Sequence, residues 1–467
     1  MKKSMAIITS YFEGETYGML GPQMAATIIQ DHTPIECIVI AVTREDDKSL
    51  IKKALADYFH SERPIIGFST LSGREDLFSF AGELKEEGAT TILAGPQADC
   101  DFMGEVDWKY YPYRFPGLAD CFSFAVHGPA EQAIGVFDLL GKEEWRNTAG
   151  LLFTDKNNLV IQSDEKAWDE TYLHSVRWDN LYRIKESGLE PLNISTGQVL
   201  QQIGCPHAGH ENRVSIDYPV SIKDWEGRRI ETHLRGCSFC DVAADKGFYG
   251  ELNMTTVLDQ IRCLPEDENG RKIPFELINE NPLYKLPQLL ESIKDNNLRL
   301  SQINLILRAD WLLKGEERLK EALKSAREMK INILASSVGF EAFDDRLLWN
   351  FHKGLTVDAN IRAVQLMRRL KEAFPDIWRY SREEGAIHGF IHPTPWDTHQ
   401  TFVNTQKNIS IYGLSRDILP PHSTPLIIHH ASALGDWIRE VERRENVHFK
   451  RYASIIGWWD EPLEFYS

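Results

Sequence analysis

Cys237 and Cys240 stand in the run Arg235-Gly236-Cys237-Ser238-Phe239-Cys240, and Cys205 lies upstream in Ile203-Gly204-Cys205-Pro206-His207. Three thiolates on glycine-flanked, turn-forming backbone are a donor set for an iron-sulfur cluster that leaves one iron open to a further ligand; a fourth would close it. The 31 residues 206–236 separate the first thiol from the pair. A role for Cys205 as a small buried apolar side chain stands beside the ligand role. Cys37, in an Ile/Val-rich run, and Cys263, in a helical pattern, fit that buried role better.

Elements that could position these thiols follow from periodicity. Short apolar runs at Ala6–Tyr11, Glu36–Val42, Pro64–Ser69, Thr90–Ala94 and Cys121–Val126 predict buried strands. The amphipathic stretches Pro22–Asp31, Lys48–Phe59, Arg74–Glu87 and Ala130–Leu140 predict helices among them. Strands alternating with helices imply a parallel, doubly wound sheet, whose ligands sit at the strand carboxyl ends. Loops rich in small residues fall at those ends: residues 14–21, Ser69-Thr70-Leu71-Ser72-Gly73, Gly95-Pro96-Gln97-Ala98 and His127-Gly128-Pro129-Ala130-Glu131. Glycines there also serve tight turns, but four such loops on one rim suit a large, flat ligand. Ser69, Gly95, Gly128 and Glu131 are the candidate cofactor contacts.

A hairpin, Ala149–Phe153 and Leu159–Gln162 around Asp155-Lys156-Asn157-Asn158, closes this first domain (1–142), and 143–195 reads as hairpin and connector. From 196 to 425 a second alternation begins. Gln198–Ile203, Phe275–Asn279, Ile303–Leu307, Asn332–Ser336, Ala386–Ile391 and Asp417–Leu419 are its candidate strands, and Met254–Cys263, Leu286–Asp295, Glu316–Glu328 and Asp358–Glu372 its helices. Six repeats predict a partial (β/α)6 barrel with active residues at the strand carboxyl ends. Residues 426–467 form a small helical extension with Ala431–Arg443. The overall class is α/β.

At 467 residues the chain exceeds one ordinary core, and its 42 % hydrophobic and 26 % charged residues are those of a globular protein. A net charge of −17 argues against nucleic-acid and anionic-membrane partners. No run reaches the ~18–20 apolar residues of a membrane span. Seven irregularly spaced cysteines do not make a disulfide framework, and a reducing cytoplasm is expected.

In this order the motifs resemble those of the cobalamin-binding radical S-adenosylmethionine (SAM) enzymes. Ile66-Gly67-Phe68-Ser69, Leu93-Ala94-Gly95-Pro96-Gln97-Ala98 and Val126 to Glu131 are similar to that family's cobalamin-domain strand ends, and Gly150-Leu151-Leu152-Phe153 to its hairpin. Leu307-Arg308-Ala309-Asp310, Val338-Gly339-Phe340-Glu341 and Leu348 to Lys353-Gly354 resemble its barrel signatures. Phe390-Ile391 to Pro395-Trp396-Asp397-Thr398 and Leu419 to Leu426 resemble the last two barrel segments, the former with Asp for Glu and without its glycines. The family's cysteines follow Cys-x3-Cys-x2-Cys. Here either Cys205 is the first ligand and 206–236 an insertion, costing about 2 kcal/mol more closure entropy than a short loop, or His233 takes that place at the family spacing.

The resemblance implies a 4Fe-4S cluster that reduces SAM to methionine and a 5′-deoxyadenosyl radical. It implies Arg308 for the SAM carboxylate and Glu341 for its amino group or ribose, with Asn279 and Glu280 facing SAM or substrate; an ordinary rim ion pair is the plain alternative for each. The first domain lacks Asp-x-His-x-x-Gly, since Asp31-His32 and His60 do not match it. Cobalamin is therefore expected without a protein histidine ligand. Methyl transfer to an unactivated carbon of a small-molecule or peptide substrate is the implied reaction, with a ferredoxin- or flavodoxin-type electron donor. A radical SAM cyclase or mutase without cobalamin, and a non-catalytic metal-binding or interaction protein, are the rival readings. His388, His392 and Asp397 are further candidates for the pocket wall, against a structural or solvated role.

Overall fold

Continuous Val/Ile/Ala runs bury on both faces only where helices cover a parallel sheet, and the first unit is built this way. A computed structural model describes residues 3–12, 19–60, 63–70, 73–95, 98–164, 168–240 and 248–459. The chain divides into two units, residues 1–198 with 259–265 and 451–454, and residues 199–258, 266–450 and 455–467. The first holds strands β1 (Ser4–Ser10), β2 (Glu36–Val42), β3 (Ile65–Ser69), β4 (Thr90–Ala94) and β5 (Phe124–Val126). Their order, β5-β4-β3-β1-β2, is parallel throughout and is the flavodoxin-type doubly wound order. Phe68, Phe80, Phe102 and Phe122 fill the core between sheet and helices.

The sheet is wider than the five predicted strands. The hairpin β6 (Leu151–Thr154) and β7 (Val160–Gln162) adds antiparallel to β5, so it extends the sheet. At the other edge, the segment read as a connector supplies β8 (Leu181–Lys185), parallel to β2, and β9 (Gly188–Pro191). Their Arg, Lys and Glu side chains hide the apolar alternation. The helix expected over Ala130–Leu140 is instead a 3-10 turn, Ala130–Ala133, and one short turn, Val136–Leu139; Gly135 interrupts it.

The second unit opens with β10 (Gly197–Leu200), β11 (Gln202–Gly204), β12 (Glu211–Asp217), β13 (Arg229–Arg235) and β14 (Phe248–Glu251). Then come β15 (Phe275–Ile278), β16 (Gln302–Arg308), β17 (Asn332–Glu341), β18 (Trp378–Arg379) and β19 (Gly389–Phe390). The main sheet runs β10-β15-β16-β17-β18, with β19 also on β17; the β15–β16, β16–β17, β17–β18 and β17–β19 pairs are parallel. Helices Leu286–Asp295, Glu316–Met329 and Val357–Ala373 connect the successive strands β15 to β18. Asp417–Leu419 is not a strand: Pro420 and Pro421 follow it and donate no ladder hydrogen. The chain bridges the sheet farther on, where Ile391 pairs with Thr424. The C-terminal part holds β20 (Ile427–His429), helix Ala433–Glu445 and β21 (Ile455–Gly457), which pairs antiparallel with β20. Among the described residues no helix is long and apolar enough to cross a membrane.

The interval between Cys205 and Cys237 is a two-stranded ribbon. Strands β12 and β13 pair in full antiparallel register from Glu211↔Arg235 to Asp217↔Arg229. At its far end, the Asp217 carboxylate accepts from Arg229 Nε at 3.0 Å, Arg346 Nε at 3.1 Å and Asn350 Nδ2 at 3.3 Å. The Asp217 amide donates to Asn350 Oδ1, and its carbonyl accepts from Trp396 Nε1. Removing a buried acceptor shared by several donors leaves them unpaired. Asp217→Ala should cost about 2 kcal/mol, the partial exposure of Arg229 limiting the loss. A lower urea midpoint in tryptophan fluorescence, at unchanged slope, is the expected readout.

A second support joins β17 to β19. His388 is buried, its Nδ1 accepts from the Val338 amide at 2.9 Å, and its protonated Nε2 donates to the Tyr380 carbonyl at 2.7 Å. Burial pulls its pKa down to about 4, against ~6.5 in the unfolded chain. Between those values the unfolded chain binds the extra proton, so stability rises with pH. Acidifying from about pH 7 to about pH 5 should cost about 2 kcal/mol on this account. Denaturation midpoints across that range test it: His388→Gln should flatten the slope by that amount.

Candidate functional site

At the carboxyl ends of β15, β16 and β17 the second unit concentrates charge. Arg308, the last residue of β16, is buried, as are Glu341 at the end of β17 and Lys353. The Lys353 ammonium pairs with Glu341 Oε1, and Arg308 Nη2 donates to the Lys353 carbonyl. Arg308 also reaches Asp310 Oδ1 through Nε at 3.2 Å, and Nη1 approaches Cys237 Sγ at 3.6 Å. One guanidinium thus ties a candidate thiolate to the carbonyl of the residue that holds Glu341.

Space for the Glu341–Lys353 pair comes from two glycines. A Cβ on Gly339 would stand 2.1 Å from Lys353 Nζ, and one on Gly389 2.7 Å from Glu341 Oε2. Glu341 itself has φ of 61°, uncommon for a residue with a side chain, inside a tight turn closed by the Ala342 amide on the Phe340 carbonyl at 2.8 Å. Its own carbonyl accepts from the Ile391 amide at 2.8 Å. Such strain, held by neighbouring contacts, accumulates at functional sites.

The ribbon returns Cys237 to this cluster. Cys205 follows β11 and precedes the 3-10 turn Pro206–Ala208; three residues after that turn, Glu211 is already paired with Arg235, two residues before Cys237. Cys205 and Cys237 lie within electrostatic reach of each other. Burial pushes both thiols above their ordinary value; at Cys237 the Lys353 and Arg308 cations oppose it, while at Cys205 Glu280 adds to it. The Cys237 loop is fastened by Ser238, whose amide donates to the Phe351 carbonyl and whose hydroxyl donates to the Asn350 carbonyl. Phe239 packs edge-on against Phe351, with ring centres 5.4 Å apart. The Cys240 amide donates to the Cys237 carbonyl, making one tight turn of the pair.

His233 is not brought to the cysteines. Its side chain lies on the exposed face of β13, with Nδ1 on Glu211 Oε1 at 3.0 Å. His207 is the residue that periodicity and motif order missed. Its Nε2 is buried without a partner, and burial, reinforced by Arg308, lowers its pKa, so the imidazole is neutral. Lys353 was legible only as part of a Lys-Gly signature. Of the residues after β15, Asn279 is buried and donates to Gln201 Oε1 at 2.8 Å. Glu280 is solvent-exposed, and the protein packed around it raises its pKa against the pull of Lys353 and Arg308.

Donor chemistry suits a cluster. Each thiolate of a 4Fe-4S cluster binds a separate iron, so the cysteines need not converge on one point. Among the described residues no three His, Cys, Asp or Glu side chains converge on a single metal ion. Cys37 is fully buried, as its sequence context predicts, but Cys263 is exposed at the end of its helix, contrary to the small buried role expected for it.

In the first unit, Ser69 and Gly95 meet: Ser69 Oγ is 2.9 Å from where a Gly95 Cβ would stand, and Gly95 has φ of 98°. Gly128 turns the chain after β5 with φ of 77°. Glu131 instead accepts the Asp169 amide at 2.8 Å, and burial raises its pKa. Residues 14–18, Leu71, Ser72, Pro96 and Gln97 of the predicted rim lie outside the described residues. Gln23, in the helix that follows β1, and His127, after β5, are buried at the same strand-end side with unpartnered polar atoms. Buried orphan donors and acceptors fit a polar ligand on this rim.

No protein-family model matches the sequence, and no curated protein does. Among solved structures the chain is similar to the apo, selenomethionine-labelled cobalamin-dependent S-adenosylmethionine radical enzyme OxsB, with a TM-score of 0.59 and 13 % identity. The match covers 98 % of this chain and 64 % of OxsB. At that identity the likeness is one of fold, a mixed α/β chain with parallel sheets.

Proposed function

We propose that this chain is a radical SAM enzyme that holds a 4Fe-4S cluster on Cys205, Cys237 and Cys240, and SAM between Arg308 and Glu341. The second unit's parallel sheet is read as the partial barrel of that class. The rim of the first unit, with Ser69, Gly95 and Gly128, is read as a cobalamin seat, and methyl transfer to an unactivated carbon of a small-molecule or peptide substrate as the reaction. One observation carries this: the β12–β13 ribbon turns the 31 residues between Cys205 and Cys237 into a short spatial step that ends beside Arg308 and Lys353. The fold likeness to OxsB, a cobalamin-dependent SAM radical enzyme, supports it.

When bound, the cluster supplies the electron that breaks a carbon–sulfur bond of SAM, and cobalamin supplies the methyl group. This chain's residues provide the setting. Arg308 offers a planar guanidinium to the SAM carboxylate while its Nη1 faces Cys237. Lys353 holds the Glu341 carboxylate in place for an amino group or ribose hydroxyl. Phe239, backed by Phe351, keeps water from the thiols. Arg308 and Lys353 supply positive charge that lowers the cost of burying the Cys237 thiolate. A ferredoxin- or flavodoxin-type donor in a reducing cytoplasm completes the proposal.

Anaerobic reconstitution with iron and sulfide should load about four irons per chain. Cys205→Ala, Cys237→Ala and Cys240→Ala should each lose the cluster's visible absorption, and His233→Ala should keep it. With SAM and a strong reductant, the loaded protein should release 5′-deoxyadenosine, detected by chromatography. A Cys205→Ala protein that retains the cluster would reassign the first ligand, and an intact cluster that never yields 5′-deoxyadenosine would sink the enzyme reading. Corrin absorption retained after desalting with cobalamin tests the rim.

A further inference from the structure

On the face of β19 opposite the charged site the second unit has a half-open pocket of about 240 Å³. Successive strand side chains point to opposite faces. Gly389 abuts Glu341, whereas Phe390 turns away from it and lines the cavity, with Phe402 and Ile409 of helix His399–Tyr412 on another wall. This space is separate from the Arg308–Glu341 cluster.

Its polar wall is a histidine–carboxylate pair. His392 Nδ1 lies 3.1 Å from Asp397 Oδ2, and the same oxygen accepts from the Thr394 amide at 2.6 Å. Asp397 is thereby fixed, and as an acceptor it keeps the His392 proton on Nδ1. Nε2 is left with no partner among the described residues, and it presents a lone pair when the ring is neutral. The hydrogen bond that Nδ1 donates to Asp397 raises the His392 pKa, against the effect of burial, and above that pKa the ring is neutral with the Nε2 lone pair open to a donor. Gln406 and Ser423 add further polar groups, and no Lys or Arg lines the cavity among the described residues.

Size and lining select the ligand. A dry cavity of roughly 150 Å³ walled by Leu, Ile and Phe takes up benzene, and drug-sized ligands need roughly 300–1,000 Å³. The space therefore suits one substituted ring. With no Lys or Arg and with the Asp397 carboxylate on its wall it does not suit a phosphate or a dicarboxylate, while two phenylalanine rings favour an aromatic body. We propose that this cavity binds a single-ring aromatic molecule bearing an O–H or N–H group, its ring against Phe390 and Phe402 and its donor hydrogen on Nε2 of His392.

A ¹⁹F NMR titration of the full chain with 4-fluorophenol, run above the His392 transition seen in its imidazole ¹H resonances, with fluorobenzene as the matched probe lacking the donor, tests this. 4-Fluorophenol should saturate and bind at least about fivefold more tightly than fluorobenzene, since it adds one O–H···N hydrogen bond. His392→Phe should weaken 4-fluorophenol by about tenfold without weakening fluorobenzene. Ile409→Trp, which fills the space, should abolish binding of both, with circular dichroism reporting that each variant is folded. If Ile409→Trp does not fold, Phe402→Ala replaces it; its ring is 54 % exposed, and its loss should weaken both probes. Lack of saturable binding to the parent protein, equal affinity for the two probes, or a folded His392→Phe protein that binds 4-fluorophenol as the parent does overturns the proposal.

Discussion

The Asp217 carboxylate is the constraint on which the strand-end site of the second unit depends. It joins the far end of the ribbon, through Arg229, to Arg346 and Asn350 of the helix Asp345–Asn350. The same short stretch of chain then receives the cysteine loop, because the Asn350 and Phe351 carbonyls accept from Ser238. Two segments far apart in sequence, 217 and 238, are thus fixed on consecutive residues of one helix end. A free loop between Cys205 and Cys237 would have to lose its closure entropy whenever the thiols met; the paired and anchored ribbon has already lost it on folding. That preorganisation lets a long insertion coexist with a fixed placement of Cys237 beside Arg308.

Much of the fold was legible because buried parallel strands need unbroken apolar runs. Glu36–Val42 and Thr90–Ala94 were read to the residue, as were helices Lys48–Phe59, Met254–Cys263 and Leu286–Asp295. Elements that answer to other constraints were not. Strands β8 and β9 lie at a sheet edge where Arg183 and Glu190 pair across the strands, so charge replaces the apolar signal. The ribbon inside 206–236 has one buried face, Ile230, Thr232 and Leu234, alternating with exposed Arg, Glu and His, and was passed over as insertion. Asp417 belongs to neither pattern: Arg368 and Tyr380 hold its carboxylate, and two prolines follow.

Legibility of the site divides along the same line. Residue type and spacing pointed to the cysteines, whereas Arg308 and Glu341 were reached through the motif resemblance, Glu341 lying five residues beyond the predicted strand Asn332–Ser336. What the sequence could not display is pairing across the site. Lys353 meets Glu341 only because Gly339 and Gly389 vacate the space between two strands and a turn. A glycine announces that a side chain is missing, not which neighbour fills the gap. His233 illustrates the converse: it has the family spacing, yet strand alternation turns it to the exposed face of β13, away from the fastened loop. Spacing along a chain is informative about ligands only where the intervening backbone is one turn.

Strand alternation also explains how β19 serves two environments with so few residues. Gly389 is small because Glu341 lies against it, and its neighbour Phe390 is large because the opposite face is apolar. His388 and His392 flank this strand and their proton affinities shift in opposite directions for a physical reason: His388 has both ring nitrogens engaged by backbone groups in a buried position, which disfavours charge. His392 has one nitrogen on a carboxylate, which favours charge, and the other free. The first can only hold β17 and Tyr380 together. The second has a remaining valence for hydrogen bonding at a cavity wall, so of the two histidines it alone retains capacity for a ligand.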